Sequence, residues 1–166
     1  MESKQQLTHS LRTAYSITLP LLEDLQDAPM TPPTAHGGNH PTWLAGHLAH
    51  SVGFLLWDVM QAKPNPLAQW NELFQGGSQP QSNKAVYPAY EEILSKFKSM
   101  HEEAFALLET LSESDLEQPS KNPPPNFEEV FGTWRQCFSA LALHLANHRG
   151  QAAVCRTALG REPLLA

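Results

Sequence analysis

His144 and His148 stand four positions apart, a spacing that puts two side chains one turn apart on the same face of a helix. Imidazole rings so placed can converge on one metal ion, and imidazole suits zinc, nickel, iron and copper. Two ligands on one rigid helix also reduce the entropy lost when a third joins. His47 is the natural third, because it falls on the inward face of another helical segment, one turn from Trp43, where burial would keep solvent from competing. At none of the three positions does the chain place the leucine or valine that a packed bundle would prefer. The competing reading is a set of core histidines that only hydrogen-bond backbone carbonyls.

Three neutral imidazoles leave a divalent ion with open positions, where a water, a thiolate or a substrate oxygen can bind and be activated. The pattern is not that of a zincin protease, because Leu145 stands where those enzymes carry glutamate directly after the first histidine of the pair. No general base is built in. A substrate that binds as an anion, such as a low-molecular-weight thiol, needs less help from one, since the metal itself lowers the thiol pKa.

The other histidines carry less. His40 is expected to cap a helix or line the mouth of a pocket, and His50, one turn beyond His47, could replace or supplement a ligand. His9, His36 and His101 are expected at the surface or its boundary. Asp58 lies eleven positions after His47. That is about 16 Å along a helix axis, too far for direct ligation, so a hydrogen-bonded core carboxylate is expected there. Cys137 and Cys155 lie too far apart along one helix to bridge and read as small buried hydrophobes.

Four long helices must position these residues. Leu7, Leu11, Ala14, Leu21, Leu22 and Leu25 recur at helical spacing over about residues 3–26, with Pro20 expected to kink or divide the helix. Pro41 takes the favoured first-turn position of a second helix running to about Gln61. Trp43, Leu44, His47, Leu48, Ser51, Phe54, Leu55 and Asp58 share its inward face. The proline- and glycine-bearing stretch 62–87 is a long connection with one short turn around 67–74, long enough to leave the second and third helices parallel. Pro88 opens the third helix, striped by Ile93, Phe97, Met100, Ala104, Leu107 or Leu108, and Leu111, and Ser112 with Asp115 resembles a capping box beyond it. After Pro123-Pro124-Pro125 the fourth helix reads from about Phe127 to Leu159, with Gly150 admitting close approach of another helix. No strand-like alternation and no repeat is visible, so the class is all-α.

At 166 residues and 41% hydrophobic composition, the chain is expected to form one domain spanning 1–166. A net charge of −6, with 17 acidic against 11 basic residues and no basic cluster, argues against nucleic acid as a partner. No apolar run approaches the ~20 residues of a membrane span, and the first residues lack a secretory pattern, so cytoplasmic residence is the expectation.

Three segments carry a family resemblance. His40-Pro41-Thr42-Trp43-Leu44-Ala45-Gly46-His47-Leu48-Ala49 resembles the second-helix signature of the DinB-like, YfiT-like superfamily, and His144-Leu145-Ala146-Asn147-His148-Arg149-Gly150-Gln151 resembles its other hallmark. Leu111-Ser112-Glu113-Ser114-Asp115-Leu116, followed by Pro119, is similar to the link before its last helix. The resemblance covers nearly the full chain. It implies an up-down-down-up four-helix bundle with long loops between helices 2 and 3 and between 3 and 4, often dimeric, binding one divalent metal through three histidines. Carried over, those ligands are His47, His144 and His148, while Arg149 and Gln151 are candidates to contact a substrate or orient a ligand. Zinc or nickel is the expected ion, with iron, manganese or cobalt as alternatives. Some members of the family are thiol transferases using bacillithiol, mycothiol or glutathione, and others are isomerases or are described as metal-dependent hydrolases. A thiol S-transferase acting on a small-molecule substrate is therefore the leading expectation. Its rivals are a hydrolase and a non-catalytic bundle in which the ion only staples two helices; the proline-rich loops before the second and fourth helices match no functional subgroup.

Overall fold

In the computed structural model, which describes residues 3–164, the leucine spacing at the N-terminus forms helix α1 (Ser3–Asp24). Leu7, Leu11, Ala14, Thr18, Leu21 and Leu22 are its buried residues, as a single apolar stripe requires. Pro20 does not divide the helix as expected. The carbonyl it leaves without an N–H partner is that of Ser16, an exposed position where water can take the bond.

Helix α2 (Pro41–Gly53) begins with Pro41 in its first turn and His40 as its N-cap, the His40 Nδ1 accepting the Trp43 N–H at 3.2 Å. The helix continues through a π-helical turn, Phe54–Val59, to Gln61. A π turn widens the coil and rotates every later side chain about the axis, which a uniform 3.6-residue period cannot anticipate. Every residue from Pro41 to His50 is buried, so α2 is enclosed on all sides rather than amphipathic. It packs chiefly along α4 (Tyr90–Thr110), and also on α6 (Trp134–Ala158) and on the short α3 (Asn71–Phe74). The approach of α3 depends on Gly46, where an added Cβ would lie 2.2 Å from the Phe74 ring.

α4 starts two residues after Pro88 and buries Ile93, Phe97, Met100, Ala104 and Leu108 as expected. The Ser112–Asp115 pair forms reciprocal bonds, Ser112 N–H to Asp115 Oδ2 at 2.8 Å and Asp115 N–H to Ser112 Oγ at 3.1 Å. The last helix is not continuous from Phe127. A short α5 (Glu128–Phe131) precedes it, and α6 restarts at a capping box in which Thr133 Oγ1 accepts the Gln136 N–H and Gln136 Oε1 accepts the Thr133 N–H. Gly150 admits no neighbour: nothing lies within 4 Å of an added Cβ, so its expected packing role is corrected.

α6 packs mainly on α1, and buried side chains from all four long helices join those of the 62–89 connection, including Leu67, Trp70, Phe74 and Tyr87, in one core. Tyr90 ties α4 to α1 by donating its hydroxyl to the Leu22 carbonyl at 2.7 Å. Among the described residues there is no strand, only the isolated bridges Thr34–Gly37 and Pro119–Thr133, and no helix is long and apolar enough to cross a membrane. Cys137 and Cys155 are buried and free.

Candidate metal centre

α2 and α6 bring His47, His144 and His148 together, with one ligand nitrogen from each lying within 4.8 Å of the others. The Nε2 of His144 is 3.0 Å from the Nε2 of His47 and 3.0 Å from the Nε2 of His148. His47 donates its Nδ1–H to the Phe74 carbonyl at 2.8 Å, which leaves its Nε2 as a bare lone pair. The Trp43 ring stacks on His47 at 4.4 Å and 12°, and its Nε1–H is held by Ser78 Oγ at 3.0 Å. The Phe74 carbonyl and the Trp43 face thus fix both the tautomer and the plane of the His47 ring.

Burial pushes all three histidines down from 6.5. His47 falls to about 4, mainly by burial, with the Phe74 carbonyl opposing and His148 and His50 adding to the fall. His144 falls to about 3, by burial and then by the positive charges that His148, His47 and His101 would carry. His148 is lowered by burial, opposed by the Gln151 side chain. Near neutral pH the rings are therefore uncharged, the form that ligates metal.

The donor set fits a cation. His144 Nε2 carries at most one hydrogen, so neutral rings with His47 protonated on Nδ1 can make only one of the two 3.0 Å contacts a hydrogen bond. A divalent ion shared by three lone pairs satisfies all of them. The Nδ1 of His148 is buried with no hydrogen bond, so the outer side of that ring is held less firmly than His47.

A cavity of about 860 Å³ reaches His47 and His144. It runs between α2 and α6, past the π turn at Phe54, Leu55 and Asp58, to Val130 and Phe131 of α5. The π turn was not visible in the apolar periodicity. Neither was the wall formed by the 62–87 connection, although its asparagines were a usable signal. Asn71 Oδ1 accepts from His50 Nε2 at 2.7 Å, and Asn65 donates to the His50 carbonyl at 3.1 Å while packing where a Cβ on Gly53 would sit 2.2 Å from its Oδ1.

The remaining candidates separate cleanly. His50 is engaged with Asn71 and lies outside the three-nitrogen cluster, and His40 caps α2 while its Nε2 bonds the Gln81 carbonyl at 3.1 Å. His9 and His36 are exposed, but the expectation of a boundary position for His101 is overturned: it is fully buried on α4, one turn from Phe97. Asp58 accepts from Asn122 Nδ2 at 2.5 Å, as a hydrogen-bonded carboxylate should, yet it is half-buried on the cavity wall rather than in the core. Arg149 and Gln151 sit on the His148 side and do not line the large cavity; Gln151 Oε1 accepts from Asn39 Nδ2 at 2.9 Å and borders a smaller cleft of about 320 Å³.

The sequence matches the model of the DinB superfamily over residues 10–152. No curated protein matches it significantly. Among solved structures, the crystal structure of a conserved protein from Enterococcus faecalis is similar, at 16% identity and a TM-score of 0.65, over 97% of this chain and 99% of that one. At that identity the likeness is one of fold.

Proposed function

Because the chain belongs to the DinB superfamily, we propose that it binds one divalent metal ion through His47, His144 and His148 and is a transferase that activates a low-molecular-weight thiol. The observation that carries this reading is the pair of 3.0 Å Nε2 contacts centred on His144, at the end of a cavity large enough for a substrate. Zinc or nickel is the ion of choice, with iron, manganese or cobalt as alternatives; bound there, it would lower the pKa of a thiol or water at its open position.

The chain's own residues do the positioning. Phe74 and Trp43 orient His47. Gln151, held by Asn39, and Arg149 are the residues on the His148 side that contact a substrate or orient that ligand. The apolar wall of the cavity limits water at the cluster. An opening onto His47 and His144 favours catalysis over a purely stapling role, for which no access is needed. The wider reading is one domain built as an up-down-down-up four-helix bundle, supported by the packing of α2 along α4 across the long 62–87 connection. It acts as a cytoplasmic homodimer and does not bind nucleic acid, consistent with the net charge of −6.

The test is a thiol titration. Metal-loaded protein is expected to depress the pKa of a bound thiol, and His148→Ala protein is not. A cobalt-substituted sample whose spectrum ignores added thiol would reduce the site to a structural staple.

A further inference from the structure

We infer that the molecule taken up in the large cavity beside the histidines is an uncharged compound with a long apolar body. This rests on the proposed reaction centre at the cluster, and it assigns the cavity to the apolar reaction partner rather than to an anionic thiol.

The shape of the cavity is the first ground. Its volume of about 860 Å³ lies within the range of small-molecule sites. From His47 to Asp58 it follows α2 and the π turn beyond it for eleven positions, a run of at most about 16 Å at helical rise. Along α6 it extends back from His144 to Ala140, and Val130 and Phe131 of α5 line it as well. A ligand filling it is long, with one end at the ring nitrogens.

The chemistry of the wall is the second. Phe54, Leu55, Val130, Phe131 and Leu143 are the large apolar side chains of the wall, Leu55 standing with Asp58 on the π turn. Among the described residues no lysine or arginine lines the cavity, and Asp58 is the one carboxylate that does. An anionic tail would therefore lose its water, find no counter-ion and face a like charge. The polar groups near the cluster are largely engaged with each other: His50 bonds Asn71, and Asn65 bonds the His50 backbone. They fix the wall instead of offering a charged grip. At the lip, Leu143 is 72% exposed, a large apolar side chain that an apolar ligand would contact.

The experiment titrates metal-loaded protein with hexanol, octanol, decanol and decanoate, read by calorimetry. Affinity is expected to tighten about fourfold per added methylene, the equivalent of about 0.8 kcal/mol, with decanoate at least tenfold weaker than decanol. Alkanol affinity that is flat with chain length, or decanoate binding as tightly as decanol, would overturn the inference. Ala140→Trp, which fills the cavity, and Leu143→Asp, an exposed change that spares the core, should each weaken decanol at least tenfold with metal content unchanged. Unaltered decanol affinity in Leu143→Asp and Ala140→Trp together would also overturn it. His148 does not line the cavity, so His148→Ala protein should still bind decanol. Chain-length-dependent alkanol binding by wild-type protein that holds no metal would support this inference while defeating the proposed reaction centre, so the two fail separately.

Discussion

On α4, His101 is fully buried, its ring packed 4.3 Å from that of Phe97 and 5.3 Å from that of Tyr15, with its Nδ1–H given to the Phe97 carbonyl at 2.7 Å. On α2 and α6, His47, His144 and His148 are buried or half-buried too, yet they turn three nitrogens toward one point. Burial holds His101 at about 4 and His144 at about 3, so depth and a depressed pKa do not distinguish them. Two other properties do. The cluster draws its rings from two helices onto a shared point, and a cavity reaches it; His101 stands outside the cluster and outside the lining of that cavity, its Nε2 buried without a partner. A perturbed histidine is therefore a candidate site only when convergence and access accompany the burial.

The largest expected effect sharpens that contrast through acid stability. Folding keeps His101 neutral down to about 4, whereas in the unfolded chain it takes up a proton below its ordinary 6.5. Its contribution is thus intact above pH 6.5 and is lost as pH falls from 6.5 to about 4, because the unfolded state then binds more protons. The full loss is on the order of 3 kcal/mol. Urea midpoints of metal-free wild type and His101→Leu at pH 7.5 and 4.5 should show a distinctly shallower acid decline in the variant. Parallel declines would place the acid sensitivity elsewhere, His144 among the groups that interact with His101 included.

A middle-sized effect should reach the cluster through the packing beside it. Gly46→Ala drives a methyl into the Phe74 ring and displaces the carbonyl that orients His47. Overpacking of this kind costs about 1–3 kcal/mol, and loss of the orienting bond should weaken metal binding about 10- to 100-fold. Equilibrium dialysis against zinc measures it, and unchanged affinity would mean that the Phe74 bond is dispensable. The smallest effect is the counterpart at the other glycine. Gly150→Ala, with open space around it in the middle of α6, should raise stability by about 0.5–1 kcal/mol and leave zinc affinity alone.

The cluster was legible because local spacing wrote it. A four-residue interval on one helix, plus an inward histidine next to Trp43, needs no knowledge of the loops. Helix existence was legible for the same reason, through leucine stripes and Pro41. What periodicity could not show depends on contacts between distant segments: Phe74 seated on Gly46, Asn65 on Gly53, and the π turn that shapes the cavity wall. Two misreadings had signals within reach. His101 follows Phe97 by one turn on the buried stripe of α4, and Thr133 with Gln136 carries the capping-box spacing that breaks the last helix. In the first case a polar residue type outweighed its position, and in the second an apolar run outweighed the cap.

The most direct measurement is metal content per chain after zinc loading and exhaustive dialysis, on wild type and five variants. Wild type is predicted to hold about one ion, as a single three-ligand site requires. His47→Ala, His144→Ala and His148→Ala should each lose it, while His50→Ala and His101→Leu keep it. Zinc retained in full by any of the first three, or lost by His50→Ala or His101→Leu with the fold intact, would contradict the assignment of these ligands.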